Sequence, residues 1–415
     1  MISAVPKLWY INLTITGSNK EKKIPMARVE RFELVSLTWG DEERQAAIRV
    51  LDSGNYTMGK NVREFEECFA RHLGMKYAVM SNSGSSANLI AVASLFYKKE
   101  NPLKRGDEVL VPCISWATTF HPLHQYGLKL KFVDIDLHTL NYDVKELKKA
   151  VTNNTKMIVA VSILGNPCQF DEITKLCSEN NIILFEDNCE SMGAKFNGRY
   201  TGTFGLVNTF STFFSHHIST IEGGLVLTDD REIYNLLKSL RNHGWTRDQD
   251  KDSPIFEKRD DDFFEAYRFI LPGYNLRPTE IQGAIGNVQL NKLEEFIGVR
   301  RKNAEHFVNL FKDDERFITQ KEVGESSWFA FTMIINPELN INRKKVLQKL
   351  RDANIEHRII TGGNILRHDV IKYYDYVATK SVNADIAHYN GFFVGNHPYD
   401  IRDKIDYLHE TLKVI

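Results

Sequence analysis

Tyr77-Ala78-Val79-Met80 runs into Ser81-Asn82-Ser83-Gly84-Ser85-Ser86-Ala87-Asn88 and then into an apolar stretch, and this succession decides the fold. A short apolar run stopped by small hydroxyl residues reads as a buried strand, and the segment starting near Ala87 reads as a helix. The same alternation continues on both sides. Asp41 to Asp52 and Val62 to Leu73 have the spacing of amphipathic helices. Glu108-Val109-Leu110-Val111, Lys131-Phe132-Val133-Asp134, Met157-Ile158-Val159-Ala160-Val161 and Ile182-Ile183-Leu184-Phe185 read as strands. Strand and helix recurring at this interval predict an α/β architecture, a mainly parallel mixed sheet between helices. From about 275 to 312 the pattern turns long and helical, and Trp328 to Ile335 opens a smaller α+β segment. We therefore expect an N-terminal extension over residues 1–25, a large α/β domain over 26–290 and a small C-terminal α+β domain over 291–415.

A length of 415 residues with 42% hydrophobic content is enough for two or three domains around a large core. Lys plus Arg number 53 against 54 Asp plus Glu, a balance that argues against nucleic acid or a membrane surface as partner. Five cysteines, with no CxxC pair, give neither a disulfide framework nor a metal site, and point to a reducing, cytoplasmic setting. No apolar run approaches the roughly 20 residues needed to cross a bilayer. Leu8-Trp9-Tyr10-Ile11 is interrupted too soon for a signal peptide, and Met26 begins where the globular pattern starts. Residues 1–25 are thus expected to be a mobile extension or an over-called translation start.

Parallel sheets place ligands beyond the carboxyl ends of their strands, so the residues after each run carry the functional information. Ser81 to Asn88 offers hydroxyls and free N–H groups at a helix start, either a phosphate cradle or an ordinary turn and N-cap. After Val111 comes Pro112-Cys113-Ile114-Ser115-Trp116, where the indole either stacks on a flat ring or fills the core. After Phe185 comes Glu186-Asp187-Asn188-Cys189-Glu190, acidic residues that are costly at the mouth of a buried strand unless paired, with a helix cap as the alternative for Asp187. No GxGxxG or GxxxxGK[ST] motif occurs, which disfavours nicotinamide and P-loop chemistry.

Thr209-Phe210-Ser211-Thr212-Phe213-Phe214-Ser215-His216-His217-Ile218-Ser219-Thr220-Ile221-Glu222-Gly223-Gly224 is the most informative stretch. Taken with the three segments above, it resembles the sugar-modifying branch of the PLP-dependent transferases of fold type I (the aspartate aminotransferase fold), the DegT/DnrJ/EryC1/StrS family. The branch motif is a serine, a short aromatic run, a lysine and then Glu-Gly-Gly, and here His216 stands in the lysine's place. That lysine's primary amine bonds covalently to the pyridoxal aldehyde, which imidazole cannot do. No lysine occurs between Lys195 and Lys238 to replace it. The resemblance therefore implies pyridoxal or pyridoxamine 5′-phosphate held without a covalent bond. A histidine here marks the family's 3-dehydratases. Similarity to them runs from about Leu37 to the C-terminus, through Tyr56-Thr57-Met58-Gly59, Ser215-His216-His217-Ile218, Arg241 to Arg247, Leu271 to Pro278 and Val394-Gly395-Asn396-His397.

By the same resemblance, Gly84, Ser85 and Ser211 hold the cofactor phosphate, Trp116 stacks on its ring, Asp187 pairs with the pyridine nitrogen and Glu190 belongs to the same shell. Asn275 reaches the phosphate from a second subunit, so a homodimer is implied. His216 is the implied catalytic residue, base and acid in turn, its unperturbed pKa of about 6.5 suiting proton transfer. A packed core histidine in an inactive relative is the alternative. His217, His243, Arg247 and Arg277 are candidates for the nucleotide sugar, or merely pack or sit on the surface. The implied reaction is loss of the C3 hydroxyl from a nucleotide-linked 4-keto-6-deoxy sugar, with L-glutamate restoring the cofactor's amine. An aminotransferase would need an amine at position 216 or a rescuer, and a non-catalytic relative would bind cofactor without turnover. A related class uses a [2Fe–2S] cluster and a separate reductase. With no cysteine after Cys189, no iron–sulfur partner is expected.

Overall fold

The computed structural model describes residues 31–250 and 252–413, so the expected extension over 1–25 lies outside the described residues. The first two helices are Asp41–Ser53 and Lys60–Leu73. Strands β1 (Tyr77–Ser81), β2 (Glu108–Pro112), β3 (Lys129–Val133), β4 (Thr155–Val161), β5 (Ile183–Asp187), β6 (Val207–Ser211) and β7 (Gly224–Thr228) follow the alternation read from the sequence. Further on come β8 (Phe317–Thr319), β9 (Ala330–Ile335), β10 (His357–Arg358), β11 (Tyr376–Ala378) and β12 (Gly391–Gly395).

Eight strands form one sheet in the order β1-β7-β6-β5-β4-β2-β3-β11. Every pairing is parallel except the two made by β7, which runs against both β1 and β6. β2, β6 and β7 are buried along their whole length, as strands covered on both faces must be. The helix Gly84–Tyr97 that follows β1 is buried around its circumference, with Ile90, Ala91, Val92, Ala93 and Leu95 all sealed from solvent. Each such side chain contributes on the order of 1–3 kcal/mol of transfer free energy. The second sheet, β8-β9-β12-β10, packs its core on the helix Leu293–Phe311, where Phe307 stacks on Phe331 at 4.5 Å.

Three local readings differ from the structure for identifiable reasons. Asp134, read as a strand residue, lies just past β3 and caps another element: its carboxylate accepts from the N–H groups of Asn383 and Ala384, at the start of the helix Val382–Asn390. The long helical stretch is two helices, Glu280–Leu290 and Leu293–Phe311, parted at Lys292, whose ammonium bonds Glu42 and Glu43 at 2.6 and 2.8 Å. Trp328 sits at φ 46° and cannot extend the strand, which starts at Ala330.

The antiparallel turn of β7 positions the site. Because β7 runs backwards, its first residue, Gly224, pairs with the last residues of both β1 (Ser81) and β6 (Ser211), while Asp187 ends β5 opposite Val161 at the end of β4. The carboxyl ends of four strands and the segment Glu222-Gly223-Gly224 thus meet at one edge of the sheet, where ligands of open α/β sheets bind.

Candidate active site

At that edge lies a cavity of about 560 Å³, lined by Gly84, Ser85, Trp116, Asp187, Glu190, Ser211 and His216 among others. Ser83 caps the helix Gly84–Tyr97, its Oγ accepting from the N–H of Ser86 at 3.1 Å. The N–H groups of Gly84 and Ser85 at the same helix end have no intrahelical acceptor, which suits an anion. The N-cap reading and the cradle reading of this segment are therefore compatible. Only glycine fits at 84, since a Cβ there would lie 2.6 Å from Cβ of Ser211 and 3.2 Å from Sγ of Cys189. Gly84→Ala is expected to push the helix start away from Ser211 at an overpacking cost of about 1–3 kcal/mol. Its affinity for pyridoxal phosphate, measured by spectrophotometric titration, should fall at least about tenfold.

Asp187 is buried without being a helix cap. Its Oδ2 accepts from Nδ2 of Asn88 at 2.9 Å and Oγ1 of Thr119 at 2.7 Å, and its Oδ1 accepts from the N–H of Cys189 at 3.2 Å. Oδ1 keeps a lone pair for a further donor. Glu186 points to the other face of β5 and accepts from the N–H groups of Gly202, Phe204 and Gly205. Side chains alternate along a strand, so one strand carries both carboxylates to separate sets of donors. This is why the strand runs two residues beyond the apolar stretch. Asn88 and Thr119, which orient Asp187, were not singled out from sequence. Asn88 carried a usable signal, a polar residue on the buried side of an apolar helix.

Trp116, for which a core position was the alternative, is 60% exposed and lines the cavity. Ser85 Oγ donates to Thr118 Oγ1 at 2.9 Å, and Ser211 Oγ accepts from the N–H of Phe213 at 3.2 Å. The imidazole of His216 stands edge-to-face between Phe213 and Phe329, with ring centroids 5.8 and 5.2 Å away. Its Nδ1 is buried without a partner among the described residues, leaving Nε2 as the nitrogen turned to the cavity. Burial, and then the charge of Arg300, hold the imidazole down to about 4, so the ring is neutral at physiological pH. No lysine lines the cavity among the described residues.

The remaining candidates stand outside this cavity. His217 is fully buried beneath Phe329, its Nε2 3.2 Å from the carbonyl of Ser327, so it packs rather than lines the pocket of its own chain. His243, Arg247 and Asn275 are exposed. The N–H of His243 donates to the carbonyl of Tyr274, Arg277 Nε donates to Asn275 Oδ1 at 3.0 Å, and Arg247 lies over the ring of Trp245. Arg300, Thr361 and Phe329 join the cavity wall from the C-terminal part of the chain, with no motif to announce them. Among the described residues no group of His, Cys, Asp and Glu could hold a metal ion, all five cysteines are free thiols, and no helix is long and apolar enough to cross a membrane.

The donors present fit a phosphorylated pyridine: an anion cradle at a helix end, an exposed indole, and a buried carboxylate with an unused lone pair. A mainly parallel sheet with this constellation at its carboxyl edge is the fold of the PLP-dependent transferases of type I. The chain belongs to the DegT/DnrJ/EryC1/StrS aminotransferase family, whose model matches residues 38–413. It is 53% identical to GDP-4-keto-6-deoxy-D-mannose 3-dehydratase of Escherichia coli O55:H7 over 385 residues, 92% of this chain and 99% of that protein. It is 49% identical to the protein of the same name from Yersinia pseudotuberculosis, over 92% of this chain and 98% of the other. A crystal structure of GDP-4-keto-6-deoxymannose-3-dehydratase with a trapped PLP-glutamate geminal diamine superimposes with a TM-score of 0.91 at 52% identity, covering 92% of this chain and all of that one.

Proposed function

We propose that the chain is a PLP-dependent dehydratase that removes the C3 hydroxyl of a nucleotide-linked 4-keto-6-deoxy sugar, GDP-4-keto-6-deoxy-D-mannose being the first choice, to give a 4-keto-3,6-dideoxy sugar. L-Glutamate is the amino donor, a homodimer is the working unit and the cytoplasm is its place. The observation that carries this is the cavity wall at residue 216, where a neutral imidazole stands and, among the described residues, no lysine is within the lining. The identity to the two 3-dehydratases, over nearly the whole length of each, supports the choice of reaction and sugar.

In this reading the N–H groups of Gly84 and Ser85 and the hydroxyl of Ser211 hold the cofactor phosphate, joined by Asn275 of the partner subunit. Trp116 covers one face of the ring. Asp187, oriented by Asn88 and Thr119, would accept a hydrogen bond from the pyridine nitrogen and favour its protonated form. When bound in its aminated form, the cofactor supplies an amine for the sugar's C4 ketone and an electron sink for the carbanion chemistry that follows. His216 takes a proton at Nε2. The two phenylalanines fix its ring plane and keep water from it, so the base meets its carbon neutral and desolvated.

The exposed apolar side chains Ile48, Leu51, Phe214, Ile221 and Phe263 support the dimer, since such surface is expected to be covered. Complementation tests the shared site. Chains carrying His216→Asn and chains carrying Asn275→Ala should each be nearly inactive, and mixing them should restore activity, because one of the two sites then has both His216 and the partner's Asn275. Failure to complement, with mixed dimers verified by mass, would remove Asn275 from the partner's site. The reaction itself is tested by supplying glutamate and a panel of nucleotide-linked 4-keto sugars and following loss of water at C3. Net amino transfer to C4 would point to the aminotransferase reading instead.

A further inference from the structure

A histidine that moves protons is normally aimed by a hydrogen bond at its second ring nitrogen. His216 has none among the described residues, since its Nδ1 is buried without a partner. Phe213 and Phe329 fix the plane of the ring, but the distance of Nε2 from a reacting atom is set by the loop that carries it. That loop leaves the sheet after β6 and closes at Thr212 and Thr220. Their hydroxyls lie 2.6 Å apart, and the N–H of Thr220 donates to the carbonyl of Thr212 at 2.9 Å. His216 stands midway between them.

Outside this neck, the loop backbone is gripped at Ser219, three residues past His216. The N–H of Ser219 donates to Oε1 of Gln289 at 2.9 Å, and its carbonyl accepts from Nε1 of Trp39 at 3.0 Å. Gln289, buried in the helix Glu280–Leu290, uses all four of its hydrogen-bonding positions. Oε1 also accepts from Oγ1 of Thr38 at 2.7 Å, while Nε2 donates to the carbonyl of Thr38 at 3.1 Å and to Oε1 of Glu43 at 2.7 Å. A peptide N–H faces one end of the amide and a carboxylate the other, so the side chain has one possible orientation.

Thr38 and Trp39 end a strap, residues 32–39, that crosses to this loop from the second sheet. At its start the N–H of Phe32 donates to the carbonyl of Asn354 at 3.0 Å, and the N–H of Glu356 donates back to Phe32 at 2.9 Å. The backbone passes so close to Val394-Gly395-Asn396-His397 that a Cβ at Gly395 would lie 2.4 Å from the carbonyl oxygen of Glu33. Between the two anchorages, Leu34, Val35 and Ser36 line the cavity. The strap therefore ties the loop of His216 to the second sheet.

We propose that Gln289 is the positioning residue of His216, holding Ser219 against the Trp39 indole so that Nε2 stays at reacting distance from the coenzyme. This rests on the dehydratase reading, which gives His216 the proton. Gln289 does not itself line the cavity, so its loss displaces the base and leaves the binding surfaces in place. A displacement of about 1 Å costs about 10²-fold in rate.

Two variants test the clamp. Gln289→Met fills a similar volume without a hydrogen bond, and Trp39→Phe removes the indole donor to Ser219. Each should lower kcat for dehydration by about 10–10²-fold, with KM for the sugar and affinity for pyridoxal phosphate within about threefold of wild type. If Gln289→Met does not fold, Trp39→Phe and Thr38→Val, which lacks the hydroxyl donor to Gln289, decide the matter. A second readout needs no sugar. In a His216→Lys background the new amine reports where residue 216 stands, because its bond to the aldehyde of pyridoxal phosphate forms only within reach. Adding Trp39→Phe or Gln289→Met should slow that bond, followed by absorbance, by about tenfold or more at equal non-covalent affinity. Should wild-type protein dehydrate no sugar offered, the dehydratase reading fails, and the lysine experiment still decides whether Gln289 positions residue 216. Equal rates of bond formation with and without the second change, or losses in KM and coenzyme affinity as large as the loss in kcat, would overturn the assignment.

Discussion

His216→Lys will bind pyridoxal phosphate covalently and will no longer remove water from the sugar. The variant places a primary amine where Phe213 and Phe329 now grip an imidazole and where, among the described residues, no lysine lines the cavity. The amine should bond the coenzyme's aldehyde and yield an adduct that borohydride makes permanent. Dehydration should drop by about 10²–10⁴-fold, the usual contribution of a positioned proton-transfer group. A lysine variant that dehydrates at the wild-type rate would show that residue 216 does not move the proton. The wild-type pH profile carries the same information. Burial and the Arg300 charge lower this imidazole to about 4, so the base is neutral above that value and is lost as pH falls through it. The acid limb should therefore lie near pH 4, well below the 6.5 of a free histidine.

Asp187→Asn is the second large effect. The carboxylate is pinned by Asn88, Thr119 and the N–H of Cys189, so an amide occupies the same place with little change of volume. What disappears is the negative charge proposed to face the pyridine nitrogen. Loss of such preorganised electrostatics typically costs about 10²–10³-fold in kcat. Loss of a hydrogen bond to a charged group costs about 1.5–3 kcal/mol, so cofactor affinity should fall by about tenfold or more. Stopped-flow rates and equilibrium titration would separate the two. Unchanged turnover would mean that Asp187 serves only to pack β5 against Asn88.

How much of this was legible in the sequence follows the range of the forces involved. Strands β1 to β5 are short apolar runs, and their local period is enough to place them to within a residue or two. β11 escaped notice because Tyr376-Val377-Ala378 is exposed and takes its strand form from pairing with β3, some 240 residues earlier in the chain. The same limit applies in the site. The residues on strand ends, such as Asp187 and Ser211, stand at places the alternation marks out. Asn88 and Thr119 orient Asp187 across three elements, and Arg300 and Thr361 enter from the C-terminal part of the chain. No local pattern records such contacts. His216 was legible for a different reason: one side chain of the wrong chemistry in a familiar motif changes the reaction, whatever surrounds it. Glu190 was visible as a residue of the shell.

The claim on which the account rests is that the coenzyme works in this cavity without a covalent tether. Mass spectrometry of the wild-type protein, loaded with pyridoxal phosphate, treated with borohydride and then denatured, tests it directly. The account predicts a chain of unmodified mass with all coenzyme released. A chain heavier by one reduced pyridoxyl phosphate, attached to any lysine at the cavity, would contradict it.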